Sequence, residues 1–409
     1  MDLEASFTRC FDGLAAIDGG TTTPGTGWNR FAWTEEDLAA RAWFRAEAAL
    51  LDLSVSDDRN GNLWAWWGWP APAAVVTGSH LDTVPAGGAF DGALGLVSAL
   101  VAVAALRHRG VRPRRPLAVV AFADEEGARF NTPTFGSRLL TGSLDPATVL
   151  ARRDGDGVTI SEAVTQADVD PLELGADPEA LARIGVFVEL HVEQGRGLAD
   201  LDAPVALATG IWPHGRWRLT LDGAANHAGT TGLADRRDPM LVAAAAVEAA
   251  RAAARTNDAI ATVGRLRVEP NSANAIPSRV DAWLDARAPD AERLDRLVAT
   301  WRRAVEDAAA EHGVEVAVEG ESRTAGADFD GGLRERMGAT LQREGIGYAE
   351  LPTGAGHDAG ILSAHVPAGM LFVRNPTGVS HSPFERAEIS DCVTGVRALA
   401  AVLEDLLCA

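Results

Sequence analysis

The chain reads as an α/β protein in which a mostly parallel mixed sheet, flanked by helices, is interrupted by an inserted α+β module. Three observations predict this. Short continuous apolar runs at 73–77 (AAVVT), 117–123 (LAVVAFA) and 186–190 (VFVEL) are of the kind buried on both faces of a parallel sheet. An alanine- and leucine-rich segment over 93–108 lies between the first two runs and supplies a crossover helix, which makes a βαβ unit. After Gly210 the texture changes to alternating strands and amphipathic helices, and the parallel-sheet style returns from Phe329.

The elements follow in order. Leu38, Ala42, Phe44, Ala48 and Leu51 space an amphipathic helix over 33–53, with Thr34 as N-cap and glutamates in its first turn. The three apolar strands and the crossover helix come next. The module then alternates over 216–221, is helical over 238–255, alternates over 260–268 and 279–288, is helical over 291–312 and alternates over 314–318. That order is βαββαβ, a ferredoxin-like arrangement of the split type. A helix over 332–344, a strand over 369–374 and a terminal helix over 389–407 complete the larger domain. The predicted division is 1–211, 212–326 and 327–409, the middle segment being the insertion. Gly210 and Gly326 flank it and predict that it swings shut over a ligand.

At 409 residues the chain exceeds one ordinary core, so two domains are expected. The 47% hydrophobic fraction and 42 glycines suit a globular α/β protein with many tight connections. A formal net charge of −20 repels phosphate backbones and anionic lipid, which argues against nucleic acid and membrane partners. All 37 basic residues are arginine, so chemistry that needs a lysine amine is excluded. Cys10, Cys392 and Cys408 lack the spacing of a zinc knuckle or disulfide framework and read as thiols of a reducing cytosol. MDLEASFTRC shows no signal peptide and no apolar stretch spans a bilayer, so a cytoplasmic protein is expected.

Metal-loving residues recur where apolar runs give way to polar residues, the boundary at which open α/β sheets gather ligands. His80, Asp82 and Asp91 lie in a glycine-rich bend (GSHLDTVPAGGAFDGALG), where a histidine and a bridging carboxylate can reach a metal. Asp82 can accept the other ring N–H of His80 and fix its tautomer. Glu125 and Glu126 repel each other unless a cation or proton intervenes; one can ligate while the other serves as general base. His191 ends its run in ELHVEQG, and His381 follows the strand at 371–373 in SHSPFE. Taken singly, each histidine reads as a satisfied core or loop residue and the glutamate pair as a solvated acidic turn. Together they predict a dinuclear carboxylate/imidazole site without thiolate, suited to Zn²⁺, Mn²⁺ or Co²⁺.

With these residues in view, the chain resembles the dinuclear-zinc metallopeptidase superfamily of aminoacylases and glutamate carboxypeptidases. The closer resemblance is to its ureido-cleaving branch, the allantoate amidohydrolases and N-carbamoyl-L-amino acid hydrolases. It runs from about Gly27 to the C-terminus through GSHLDTVPAGGAFDGALG, DEEGARF, ELHVEQG, NHAGTT, PNSANAIPSRV, GAGHDA and FVRNPTGVSHSPFE. The resemblance implies a dinuclear-zinc exopeptidase-like fold whose flanking segments form the catalytic domain and whose insertion is a lid and dimerisation domain. It implies two divalent ions per subunit, zinc foremost, one held by His80, Asp91 and His191 and the other by Asp91, Glu126 and His381. Glu125 would move the proton of the attacking water, and Asp82 is counted with the catalytic residues. His191 stands where peptidase relatives carry a carboxylate.

The resemblance further implies a homodimer in which His227 of NHAGTT serves the neighbouring site by stabilising an oxyanion; a helix-start histidine in a surface loop is the plain alternative. Carboxylate recognition would fall on Asn274 and Arg287, with Gln194, the backbone at Gly356 and, least securely, His357. Arg287 can instead brace a surface strand, and His357 can serve a local turn. The implied reaction is hydrolysis of a ureido C–N bond in a small carboxylate, allantoate first on the texture of GWNRFAWTEED and FVRNPTGVSHSP, giving ureidoglycine or ureidoglycolate with ammonia and CO₂. The alternative is an N-carbamoyl-L-amino acid. More distant readings are an aminoacylase or dipeptidase, or a catalytically silent member of the superfamily.

Overall fold

The computed structural model describes residues 1–18 and 27–408. It comprises two compact units, Met1–Gly210 with Asp328–Ala409, and Ile211–Ala327.

The first unit is built on one large sheet. Four strands run parallel side by side in the spatial order Leu117–Phe122, Ala74–His80, Ile184–Val192 and Ala368–Val373. Three of these strands are buried at every position and the fourth at all but one, as two-sided coverage requires. Antiparallel strands extend the sheet on both sides, the hairpin Ser54–Asp57 with Leu63–Trp67 on one and Val205–Ile211 on the other. The crossover helix Ala93–His108 is apolar almost all round. It packs in the main core with the helices Leu3–Ala15 and Ile389–Cys408 and with Val75, Val119, Val188, Leu190 and Leu371. A smaller cluster joins Trp33 to Phe130, Phe135, Ile160 and Val164.

Two glycines let these layers close. A Cβ on Gly78 would lie 1.8 Å from the carbonyl oxygen of Val120, so the neighbouring central strands leave it no room. A Cβ on Gly95, in the crossover helix, would lie 2.4 Å from the Leu190 carbonyl oxygen. Its absence brings that helix down onto the strand ends.

The expected helix beginning at Thr34 is present as Glu35–Leu50, and the Thr34 hydroxyl accepts from the Asp37 N–H. Leu3–Ala15 and the Ser54–Trp67 hairpin lie outside the expected elements. The helix was legible in Phe7, Cys10, Phe11 and Leu14, which all face the core. The strand Ser54–Asp57 is short, polar and mostly exposed, so no apolar run marks it.

The second unit has the spatial strand order Glu315–Thr324, His214–Asp222, Arg279–Arg287, Ile260–Glu269, all antiparallel. In chain order that is fourth, first, third, second, the ferredoxin-like arrangement. Helices Pro239–Thr256 and Ala291–His312 pack with Leu219, Leu221, Val280, Leu284 and Trp301, whose indole N–H donates to the Ala246 carbonyl at 3.0 Å. The strand from Glu315 runs six residues past the expected 318, because pairing with His214–Asp222 carries it through a bulge between Gly320 and Ser322 although its end is polar.

Candidate metal centre

The carboxyl ends of the four parallel strands converge. His80 closes one strand and pairs in register with Phe122, behind which come Glu125 and Glu126. His191 lies opposite Phe372, and the loop after that strand carries His381.

Asp91 is the hub of the cluster. Its Oδ1 lies 3.6 Å from His80 Nε2 and 3.2 Å from His191 Nε2, while its Oδ2 lies 3.4 Å from His381 Nε2. Glu126 Oε1 meets the same His381 nitrogen at 3.5 Å. In each of the sets His80/Asp91/His191 and Asp91/Glu126/His381, one donor atom per residue lies within 4.8 Å of the others. His80, Glu125 and Glu126 form a third such set. A fourth, Glu189/His191/His357, is already engaged, since Glu189 accepts from the Ser79 hydroxyl at 2.8 Å and the Ala359 N–H at 3.1 Å.

Local bonds fix the ring tautomers. His80 Nδ1 donates to the main-chain oxygen of Asp82 at 3.0 Å, and His191 Nδ1 to that of Val192 at 2.8 Å. His80 Nε2 is left for the centre, and His191 Nε2 faces Asp91 while accepting the Gly92 N–H at 3.3 Å. The Asp82 carboxylate does not take the His80 ring proton as expected. At 3.7 Å it stands too far off, because its oxygens accept the backbone N–H groups of Glu125 and Glu126 at 3.1 and 3.0 Å. It therefore orients the glutamates directly. Gly92 sits where a Cβ would strike the His80 ring at 2.5 Å, so the bend passes close beneath the imidazole.

The charges are compressed. Burial drives the Glu125 carboxyl well above the ordinary carboxylate range, with Asp358 and Glu126 adding to the rise against the pull of His80. Burial and the neighbouring Asp91 push Glu126 to about 8. Burial acts upward on Asp91 too, but the imidazoles of His191 and His80 outweigh it and hold this carboxyl well below its usual range. The Oε1 atom of Glu126 is buried and accepts no hydrogen bond. An orphaned carboxylate oxygen between imidazoles and acids is a donor set that fits divalent cations.

Gln194 donates from Nε2 to Asp91 Oδ2 at 2.9 Å and lies 3.2 Å from His381 Nε2, so it belongs to this cluster. His357 is buried with its ring 4.5 Å from that of His191 and its Nε2 without a partner, and burial, then His191, hold it neutral. Gly356 is exposed, with open space where a Cβ would stand.

In the second unit, His227 and Asn274 come together. Asn226–His227 pairs with Ala275–Ile276, and the Ala228 N–H donates to the Asn274 carbonyl at 3.0 Å. The Gly229 N–H donates to His227 Nδ1 at 3.0 Å, which leaves the proton of this exposed ring on Nε2. Arg287 is not with them. It ends the strand Arg279–Arg287 opposite His214, with its Nε on Asp285 at 3.0 Å, whereas Asn274 precedes the other end.

Sequence reasoning missed Glu189, Asp358 and Glu385, all buried around the centre. Burial pushes Asp358 to about 8 and Glu385 to about 7. Glu189 was detectable as a charge inside the apolar run VFVELHV, and Glu385 as the last residue of SHSPFE.

Residues 76–405 match the model of Peptidase family M20/M25/M40. The chain is 37% identical over 379 residues to an N-carbamoyl-L-amino acid amidohydrolase of Geobacillus stearothermophilus, covering 92% of each. It is 32% identical over 397 residues to an allantoate amidohydrolase of Bacillus subtilis (strain 168), covering 96% of this chain and 94% of the relative. A solved amidase of the hydantoinase/carbamoylase family from Burkholderia multivorans superposes with a TM-score of 0.87 at 31% identity, over 99% of this chain and 98% of the other.

Proposed function

The chain belongs to Peptidase family M20/M25/M40, and on that footing we propose that it is an amidohydrolase using two divalent ions to break a ureido C–N bond in a small carboxylate. The observation that carries this reading is the division of Asp91, with Oδ1 toward His80 and His191 and Oδ2 toward His381. A carboxylate so shared suits a bridge between two cations. The relatives act on carbon–nitrogen bonds other than peptide bonds. A chain that keeps Glu125 and every presumed ligand is an enzyme and not a silent relative.

In this reading His80, Asp91 and His191 hold one ion and Asp91, Glu126 and His381 the other, zinc before Mn²⁺ or Co²⁺. When bound, such ions polarise the carbonyl and ease deprotonation of water. Glu125, drawn upward by burial, takes the proton of the attacking water and returns it to the leaving nitrogen, while Asp82 holds its backbone in place. The products are an amine and carbamate, which decays to CO₂ and ammonia. Gln194 and His357 line the centre, and the backbone at Gly356 is open to substrate.

Arg287 offers paired donors to the substrate carboxylate, and His227, with its proton on Nε2, a donor to the developing oxyanion. Eight residue steps separate the ends of Arg279–Arg287, about 26 Å at roughly 3.3 Å per residue. In this reading a small substrate meets Arg287 of one subunit and His227 of the other, since the two residues lie toward opposite ends of that strand. This separation supports a homodimer in which His227 and Asn274 serve the neighbouring site. The second unit has a surface for it: Leu241 and Val247 lie exposed on Pro239–Thr256, and Ile260 and Leu266 on Ile260–Glu269, the edge strand of its sheet among the described residues.

Allantoate is the first substrate reading. The second, N-carbamoyl-L-amino acids, is favoured by the higher identity of the carbamoyl-cleaving relative. A cytoplasmic setting belongs to the same proposal: the three cysteines are unpaired, and among the described residues no helix is long and apolar enough to cross a membrane. The test is ammonia release by zinc-reconstituted protein from allantoate and N-carbamoyl-methionine, beside cleavage of N-acetyl-methionine and a dipeptide. Cleavage confined to the last two would overturn the ureido reading.

A further inference from the structure

We infer that Glu385 is a positioning residue that locks the loop bearing His381 to the bend bearing Asp91 and so sets the geometry of the second cation position. The inference rests on the two-metal reading above and extends it to a residue with no assigned role.

Glu385 is 7% exposed. Its Oε1 accepts two consecutive backbone N–H groups, those of Phe90 at 3.1 Å and Asp91 at 3.0 Å. Its Oε2 accepts the Ser380 hydroxyl at 3.1 Å, and its own N–H donates to the Ser382 carbonyl at 3.0 Å. One carboxylate thereby fastens the residue before His381 to the residue that forms the hub of the cluster, across 294 positions of sequence. The two ligands it joins, Asp91 and His381, are those that face each other at 3.4 Å.

The fit is built from both sides. Gly88 lies against this carboxylate, and a Cβ there would stand 2.1 Å from Glu385 Oε1 and 2.5 Å from its Cβ. No side chain at position 88 leaves the carboxylate where it is. The same device occurs once more at the centre, where Asp82 accepts the consecutive N–H groups of Glu125 and Glu126. Each bend that presents a carboxylate ligand is thus held by a buried carboxylate reaching in from another loop. A buried acid satisfied by peptide N–H groups contributes less to stability than to position, because its desolvation offsets much of the hydrogen-bond gain. It also arrests the loops that carry the ligands.

The test compares E385A, E385Q and G88A with the wild type in the full-length protein. The zinc dissociation constants are measured by competition with a chromophoric chelator, together with kcat, KM and the Tm of the metal-free form. E385A should weaken one of the two zinc ions by about 10–100-fold, the usual cost of losing an outer-shell partner, and lower kcat more than it raises KM. E385Q keeps an oxygen for both N–H groups, and the Ser380 hydroxyl can turn to accept from the amide, so it should restore most of the affinity. G88A should reproduce the E385A defect with the glutamate still present. Wild-type zinc affinity in both E385A and G88A would overturn the inference, as would a fall in metal-free Tm with no change in either zinc constant. If the wild type itself binds no zinc, the two-metal reading fails instead.

Discussion

Replacing Asp82 by alanine removes one carboxylate and strands two donors, the Glu125 and Glu126 N–H groups that reach it at 3.1 and 3.0 Å. Asp82 is 2% exposed, so water cannot take its place without a rearrangement. Each buried donor left unmade costs about 1–3 kcal/mol, so D82A should lose about 2–6 kcal/mol. D82N keeps one acceptor oxygen but turns an amide donor toward the other N–H, and should lose about half as much. Urea unfolding of the metal-free protein reads this as a lower midpoint at constant m-value. The functional half of the prediction is a double-mutant cycle in turnover with E125Q. If Asp82 acts by holding Glu125, then D82A/E125Q should be scarcely slower than E125Q alone. Fully additive losses would refute that coupling, and equal urea midpoints for D82A and wild type would refute the hydrogen-bond account.

E125Q, which cannot take a proton, should lower kcat by about 10²–10⁴-fold while two zinc ions per subunit remain by elemental analysis; loss of the metal would show a ligand role instead. H227A and E125Q should each be nearly inactive, yet their co-expressed hybrid dimer should regain activity, because one of its sites combines an intact Glu125 with the partner's intact His227; hybrids as inactive as the parents would remove His227 from the neighbouring site. In the second unit, hydrogen bonds from Arg279, Thr220 and Arg218 hold the Asp281 carboxyl down at about 2. Its folded value is thus below the ordinary 3.9 or so of the unfolded chain, and the stability it adds is complete above that value and lost as pH falls through about 2. The Tm gap between wild type and D281N should therefore narrow on acidification, and a gap independent of pH would refute it.

Much of the larger unit was legible because its signals are local. The fully buried strands around Val76, Val119 and Val188 announce themselves as unbroken apolar runs, and the crossover helix Ala93–His108 is bounded as expected. The smaller unit was legible for the complementary reason, since its strands alternate and its helices are amphipathic. What went unread lacked local contrast, as in the polar edge strand Ser54–Asp57, or lay at the start of the chain, as with the helix marked by Phe7, Phe11 and Leu14. At the centre, the residue types and their strand-end positions by themselves point to a metal site. The work of Asp82 did not follow from its place two residues after His80, because its true partners, the N–H groups of Glu125 and Glu126, lie more than 40 positions away.

The amino-acid order alone determined which side chains can meet a cation, which segments are strands and helices, and that an alternating module interrupts a parallel sheet. These are properties of windows a few residues wide, governed by side-chain periodicity and chemistry. Only the folded chain decided which oxygen of Asp91 faces which imidazole, that Glu385 and Asp82 clamp the ligand-bearing bends, and that Arg287 stands at the far end of its strand from His227 and Asn274. Those facts depend on pairing between residues tens to hundreds of positions apart. Hydrogen-bond direction and a few ångströms of separation, which no sequence window contains, fix them.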